Sequence, residues 1–352
     1  MNPIDSMTVL VTGGCGFIGS HLVRLILRER PNWRVINVDK LTYAGNPENI
    51  PDVNNATKPL RYQFVQADIV DGQAINALFD SEKIEYVVNL AAETHVDRSL
   101  IDSAPFLRTN VEGTRVLLEA ATHFGISRFL HVSTDEVYGS LGPTDPPFTE
   151  QSPLEPNSPY AASKAAADLL ARAYHRSYGL PVLITRCGNN YGPYQFPEKF
   201  LPLFITNALD DQSLPLYGDG QNIRDWIHVE DHVRALLQVL EKGIPGEIYN
   251  TGAGEEHTNQ RMAEWVLDIL KKPRSLIQLV KDRPAHDRRY GLNVTKIQNK
   301  LGWRPSIPLG EGLGVTVSWY QDHRPWWERI KSGEYSNYYR QWYRDRLAIV
   351  PQ

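Results

Sequence analysis

The chain has 352 residues, with 37 basic against 41 acidic side chains and a net charge of −4, so it offers no extended cationic face for a nucleic acid or a membrane surface. Its 41% hydrophobic and 22% charged composition leaves room for one large core with a smaller attached lobe, or for two domains. Two cysteines, Cys15 and Cys187, are too few for a disulfide framework or a cysteine-based metal site, and fit a reducing cytoplasm.

The start, Met1 to Met7, lacks a basic flank, and the first apolar run meets a glycine turn after four residues. Neither a signal peptide nor a membrane span is expected, and Met7 is an alternative start. Thr8-Val9-Leu10-Val11 reads as a strand, Thr12 to Gly19 as a glycine turn, and His21 to Arg30 as a helix with apolar spacing through Leu22, Leu25 and Ile26. A second strand, Arg34 to Val38, ends at Asp39. Strands are then expected at Tyr62 to Val65, Tyr86 to Leu90, Phe129 to Val132 and Val182 to Thr185, alternating with helices at Ala74 to Phe79, Val111 to Ala121 and Ala161 to Tyr178. That alternation predicts an α/β fold with a Rossmann-type, doubly wound parallel sheet.

Beyond Cys187 the rhythm breaks and Gly and Pro become frequent. Residues 1–188 are expected to form the dinucleotide-binding domain, and 189–352 a smaller, loop-rich lobe over the carboxyl ends of the strands, with some segments returning to the first domain. In the tail, Trp319 to Arg346, aromatics alternate with charges, which suits helix packing better than stacking on bases.

Gly13, Gly16 and Gly19 stand between a strand and a helix, where backbone N–H groups and the helix dipole can meet a pyrophosphate. A tight turn without ligand is the alternative, but Asp39 follows about 20 residues later, where a ribose-binding acid belongs, and favours NAD over NADP. The neighbouring Lys40 slightly weakens that preference. Asp68, with Ile69, could accept from an adenine amino group or simply cap the following helix.

Tyr160 and Lys164 lie four residues apart on a helix and so share a face. An ammonium there would lower the phenol pKa and make Tyr160 a base for a sugar hydroxyl. Asp135 and Glu136 follow a strand end directly, and two acids that close divide into one protonated and one ionised group. An elimination needs that division, with Glu136 as base and Asp135 as acid. Taken alone, a capping Asp and a solvated Glu explain the pair better.

Together these segments resemble the extended short-chain dehydrogenase/reductases and, within them, the nucleotide-sugar 4,6-dehydratases that act on dTDP-glucose. The resemblance runs over nearly the whole chain, through Thr12 to Gly19, Asp39 to Gly45, Ala91 to Ser99, Ser133 to Gly139, Ser158 to Lys164, Asn189 to Lys199, Arg224 to Trp226, Val229 to His232, and Asp282 to Tyr290. It implies a tightly held NAD that is reduced and reoxidised within one turnover. Tyr160 would take the C4 hydroxyl proton, Glu136 the C5 proton, and Asp135 would protonate the leaving C6 hydroxyl. The product would be a 4-keto-6-deoxy sugar.

The same resemblance implies that Phe17, Ile18, Lys40, Leu41, Thr42, Leu90, Ala91 and Ala92 join the cofactor site. Thr109 and Asn190 would lie near NAD, Lys164 would bind the nicotinamide ribose, and Thr94 and Thr134 would contact the hexose. Asn189, Lys199, Phe200, Arg224 and Asn259 would surround the diphosphate and sugar. Pro215, Leu216 and Tyr217, with Asp282, Arg283, Pro284, Ala285 and His286, would surround the nucleoside. His95, His232 and His286 lack metal-ligand spacing, and no metal is expected. A homodimer joined by two helices per subunit, with Val111 to Ala121 and Ala161 to Tyr178 as candidates, is implied as well.

Three segments depart from the family pattern: Gly188 stands where Ser is familiar, Ala285 where Gly is usual, and Gly291-Leu292-Asn293 replaces Ala-Ile-Asp. UDP-, GDP- or CDP-glucose therefore remain as alternative substrates. A 4-epimerase, which needs no acid pair, is the nearest other reaction. A silent NAD-binding scaffold on the same fold is a third possibility.

Overall fold

The structure, a computed structural model, describes residues 7–50, 53, 61–332 and 342. Met1, and the tail aromatics Tyr338, Tyr339 and Tyr343, lie outside the described residues. In chain order the strands are β1 (Thr8–Thr12), β2 (Arg34–Asp39), β3 (Tyr62–Gln66), β4 (Tyr86–Asn89), β5 (Arg128–Thr134), β6 (Val182–Cys187), β7 (Asn189–Tyr191), β8 (Leu214–Tyr217), β9 (Ile223–His228), β10 (Ile248–Thr251), β11 (Glu256–Thr258) and β12 (Ile277–Val280). The longer helices are α1 (Phe17–Glu29), α2 (Gly72–Ser81), α3 (Thr114–His123), α4 (Pro159–Tyr178), α5 (Phe200–Leu209), α6 (Val229–Lys242), α7 (Asn259–Leu270), α8 (Leu309–Asp322) and α9 (Arg324–Ser332).

Seven strands form one parallel sheet in the order β10-β6-β5-β4-β1-β2-β3. Side chains alternate through it: Val9 and Val11 of β1 enter the core beneath α1 and α6, while Leu10 enters the core beneath α2, α3 and α4. The strand order reverses between β1 and β4, and the crevice at their carboxyl ends is where such sheets accept ligands.

Two segments beyond residue 188 join this sheet, β10 as its edge strand and α6 against α1. The rest contains a three-stranded sheet, β11-β9-β7, a parallel pair, β12-β8, and α5, α7, α8 and α9 around a core that includes Tyr191, Trp226, Met262, Val317, Trp326 and Trp327. The second lobe is thus far more helical than its Gly and Pro content suggested: Pro202 and Pro325 sit in the first turns of α5 and α9, and Gly310, Gly312 and Gly314 lie within α8. Trp326 and Trp327 are buried in helix packing.

The expected helix at Val111 to Ala121 also differs. Residues Leu107–Gly113 are π-helical and run into α3. Its exposed face carries Glu112, Arg115 and Glu119, with Arg115 paired to both acids, so the apolar residues of this helix are spent inside the subunit.

Candidate active site

The glycine loop is shaped by sterics. Gly13 has φ of +71°, and a Cβ on Gly19 would lie 2.2 Å from the Gly13 carbonyl oxygen. Gly16 begins α1 without a side-chain cap, which leaves the first N–H groups of the helix available to an anion. A cavity of about 310 Å³ opens here, lined by Gly13, Gly16, Phe17, Ile18 and Gly19. Such a cradle, which a Cβ would fill, fits a dinucleotide pyrophosphate.

Asp39 closes one side of the cavity. Its Oδ2 accepts from the Cys15 N–H at 2.9 Å and its Oδ1 from the Leu41 N–H at 2.8 Å, while burial raises its pKa against those bonds. Each oxygen keeps a lone pair for a ribose hydroxyl. Lys40 is paired with Asp68 at 2.7 Å, so its ammonium already has an acid to answer. Helix α2 is capped by Asp71, which leaves Asp68 on the cavity wall with Ile69. Thr42, Leu90, Ala91, Ala92, Thr94, Thr109 and Asn190 line the same cavity. Leu41 does not; its side chain packs on the core and only its N–H serves Asp39.

The chemical groups meet at the other end. Thr134 ends β5 and caps the turn Asp135–Tyr138, accepting from the Glu136 N–H at 3.3 Å. Ser158 caps α4, followed by Pro159, and so fixes the first turn that carries Tyr160. Thr134, Asp135, Glu136, Tyr160 and Lys164 all line the cavity.

Burial raises the pKa of both carboxyls, but not alike. Asp135 is 2% exposed, has an unpartnered Oδ2 and faces Glu136 and Asp225, which push it well up. Glu136 is half-buried and faces Arg283, Arg224 and Lys199, which oppose the effect of burial. The surroundings therefore favour the proton on Asp135 and the charge on Glu136.

One expectation fails in this site. Tyr160 is driven well above the ordinary phenol range by burial and by the Glu136 charge, not lowered by Lys164. The lysine Nζ instead donates to the Val132 carbonyl at 2.7 Å, and burial lowers its pKa to about 8. Behind it, one turn along α4, Asp168 accepts from Arg186 Nε at 2.8 Å in a fully buried pair. Removing one partner of such a pair strands a charge. Asp168→Ala is expected to cost about 3–5 kcal/mol, read as a lower midpoint in denaturant titration.

The residues expected around the substrate divide into two groups. Asn189 and Lys199 line the cavity, with Lys199 Nζ donating to the Thr94 carbonyl at 2.7 Å. Arg224 is no surface ion pair: it is buried, donates to the Ile223 and Asp287 carbonyls, and lies 4.2 Å from the Tyr290 ring centroid. Asp225 turns instead to the N–H groups of Ala253 and Gly254. Beyond the cavity lining, Tyr217 donates to Asp97 at 2.8 Å, Arg283 reaches Asp97 at 3.3 Å, and His286 meets Asp282 at 2.6 Å. Pro215 lies in β8 beside them, and Pro284 in the loop that carries Arg283. Phe200 and Leu216 are packed into the lobe's core, and Asn259 begins α7. Ala285 has φ of +51°, a conformation that explains why glycine is usual there.

Sequence reasoning passed over Glu93, Gln195, Phe196 and Glu198, which also line the cavity. Glu198 is held by Arg98 at 3.0 Å, and Arg98 lies 4.0 Å from the Tyr43 ring centroid. Glu93 is held through its backbone by Asn110, which also donates to Ser163 Oγ in the first turns of α4. All four lie inside segments that resemble the family, but nothing in their spacing marks them. No cluster of metal-binding side chains occurs among the described residues.

A doubly wound sheet with a glycine loop at its switch point, and a Tyr-Lys pair at the far end of the same cavity, defines a nicotinamide-dependent enzyme of the Rossmann type. The family model for GDP-mannose 4,6-dehydratase matches residues 10–316, and the chain belongs to that family of nucleotide-sugar dehydratases. Among its relatives, a dTDP-glucose 4,6-dehydratase of Actinoplanes is 50% identical over 91% of this chain and 100% of its own length, and one of Escherichia coli is 46% identical over 98% and 100%. A crystal structure of the Streptomyces venezuelae dTDP-glucose 4,6-dehydratase, with NAD and dTDP bound, is 51% identical, covers 92% of this chain and 100% of its own, and superposes with a TM-score of 0.88. The UDP-glucose 4-epimerase of Thermotoga maritima is more distant, at 32% identity and a TM-score of 0.83.

Proposed function

We propose that this chain catalyses the NAD-dependent dehydration of dTDP-glucose to dTDP-4-keto-6-deoxyglucose, a hydro-lyase reaction. The observation that carries this reading is the pair Asp135 and Glu136, set apart in protonation and lining one cavity with Tyr160 and the glycine loop. A 4-epimerase needs no such pair.

When bound, NAD supplies the acceptor for the hydride from C4 and returns a hydride to C6. The protein's own groups move the protons. Tyr160 accepts the C4 hydroxyl proton. Glu136, whose charged form Arg283, Arg224 and Lys199 favour, removes the proton from C5, which the new C4 ketone acidifies. Asp135, protonated, gives its proton to the C6 hydroxyl as water leaves. Lys164 would hold the nicotinamide ribose, with Thr109 near the cofactor, Asp39 the adenosine ribose, and Thr94 and Thr134 the hexose. Arg224 and Lys199 supply cations for the diphosphate. The cluster of Tyr217, Arg283 and His286 receives the nucleoside.

Incubation with dTDP-, UDP-, GDP- and CDP-glucose, without added NAD, tests the reading. Product from dTDP-glucose lighter by one water is expected. An isomer of unchanged mass would mean an epimerase, and sustained inactivity with bound NAD a silent protein.

We infer residues 1–188, joined by α6 and β10, as the cofactor domain, and most of the remainder as the nucleotide-sugar lobe. We infer a homodimer in the cytoplasm. Exposed Leu169 and Tyr178 on α4 and exposed Leu107 at the π-helical turn supply an apolar face that a second subunit would cover. Both cysteines are buried and free, and no described helix is long and apolar enough to cross a membrane. Sedimentation at low concentration is expected to give a dimer, and a persistent monomer would contradict it.

A further inference from the structure

A reaction that lends electrons to a coenzyme and takes them back needs the coenzyme to stay through the cycle. Three of the cavity walls are loops, namely the glycine turn, the segment after β2, and the segment after β7 that carries Gln195 and Phe196. All three are tied, directly or through Asn49, to α8 and α9.

Asn49 is the hub. It is 2% exposed although it lies in a short turn outside the sheet. Its Nδ2 donates to the Cys15 carbonyl at 2.9 Å, and the Asn46 N–H donates to the same oxygen at 3.0 Å. The Cys15 N–H in turn holds Asp39. From the other side, Trp326 Nε1 of α9 donates to Asn49 Oδ1 at 3.2 Å, and Arg24 of α1 donates to the Asn49 carbonyl. Arg329 of α9 pairs with Glu48 next door.

The Trp326 ring also meets the third wall. It packs edge-on against Tyr194 with centroids 5.9 Å apart, and Arg24 lies 4.5 Å from the Tyr194 ring centroid. Tyr320 of α8 donates to the Gln195 carbonyl, and Gln195 Nε2 donates to the Asn190 carbonyl at 2.8 Å. Tyr194 itself has φ of +66°, a conformation a bulky residue keeps only when its surroundings impose it.

We propose that Asn49 and Trp326 are positioning residues that form a clamp, through which the C-terminal helices close the cofactor loop and slow the escape of NAD. This deepens the functional reading and rests on its assignment of NAD to the cavity. Neither residue lines the cavity, so the clamp acts on dissociation of the cofactor and not on the chemical steps.

The test is a chase experiment on the full chain. Protein loaded with radiolabelled NAD is mixed with excess unlabelled NAD, and retained label is followed with time. Trp326→Phe keeps the ring and removes only the N–H donor; release about fivefold faster is expected, the equivalent of one neutral hydrogen bond of about 1 kcal/mol. Asn49→Ala, which breaks both links, is expected to release NAD about tenfold faster or more. With NAD in excess, kcat of Trp326→Phe should stay within about twofold of the parent. Release at the parent rate from folded Trp326→Phe would overturn the clamp even if Asn49→Ala fails to fold. A loss of kcat that excess NAD does not restore would overturn it too, by showing a disturbed site. A parent chain that retains no NAD would overturn the cofactor assignment itself, which is a separate result.

Discussion

With Glu136 replaced by Gln, the chain is expected to oxidise its sugar and then stall. In a single turnover with enzyme in excess, mass spectrometry of the quenched sugar should find a 4-ketohexose that keeps its C6 hydroxyl. Formation of the dehydrated product should fall by about 10²–10⁴-fold, the usual contribution of a positioned base. The amide is nearly the same shape but cannot take the C5 proton. The same residue sets the acid limb of activity in the parent. Burial raises the Glu136 pKa, against the pull of Arg283, Arg224 and Lys199, so the base form is lost as pH falls through that raised value. Dehydration should therefore decline on acidification earlier than an ordinary glutamate would cause, and the Gln variant should lose that limb. Normal turnover by the Gln variant would remove Glu136 from the elimination.

Tyr160→Phe is expected to stop the sequence one step sooner. Neither ketohexose nor dehydrated product should form, with oxidation reduced by about 10²–10⁴-fold. The phenol is held in its protonated form in the protein alone, because burial and the Glu136 charge outweigh any help from Lys164, whose Nζ is engaged by the Val132 carbonyl. Its conversion to a base would draw on the positive charge of the oxidised cofactor and on Lys164, which a pKa of about 8 leaves mostly charged at neutral pH. The two variants together separate the two acid/base systems. If Tyr160→Phe accumulated the ketohexose as Glu136→Gln does, the division of labour between them would be wrong.

Much of this was legible from residue order. The glycine loop, Asp39 and the alternation of strands and helices announced the sheet and its switch point, because each depends on local rules of turn geometry and side-chain period. Asp135 and Glu136 could be located at a strand end, but their inequality could not be read. It arises from Asp225, Arg224 and Arg283, which come from β9 and the loop beyond β12 and meet the pair only after folding. The fate of Lys164 was hidden for a similar reason: a helical spacing of four brings two residues to one face, but the carbonyl that claims the ammonium belongs to β5. The second lobe looked irregular from its glycines and prolines, but several of these lie within helices, as Pro202 and Gly312 do, and the helices are held by tertiary packing of Trp226, Trp326 and Trp327. Glu93 and Glu198 acquire their cavity positions through Asn110 and Arg98, contacts across distant parts of the chain.

The central claim is that hydride leaves C4, waits in the closed site and returns to C6 of the same sugar. dTDP-glucose carrying deuterium at C4, turned over in ordinary water, measures this directly. The label is expected in the methyl group of the product, one atom per molecule. A methyl group without deuterium, or label released into water, would contradict the account.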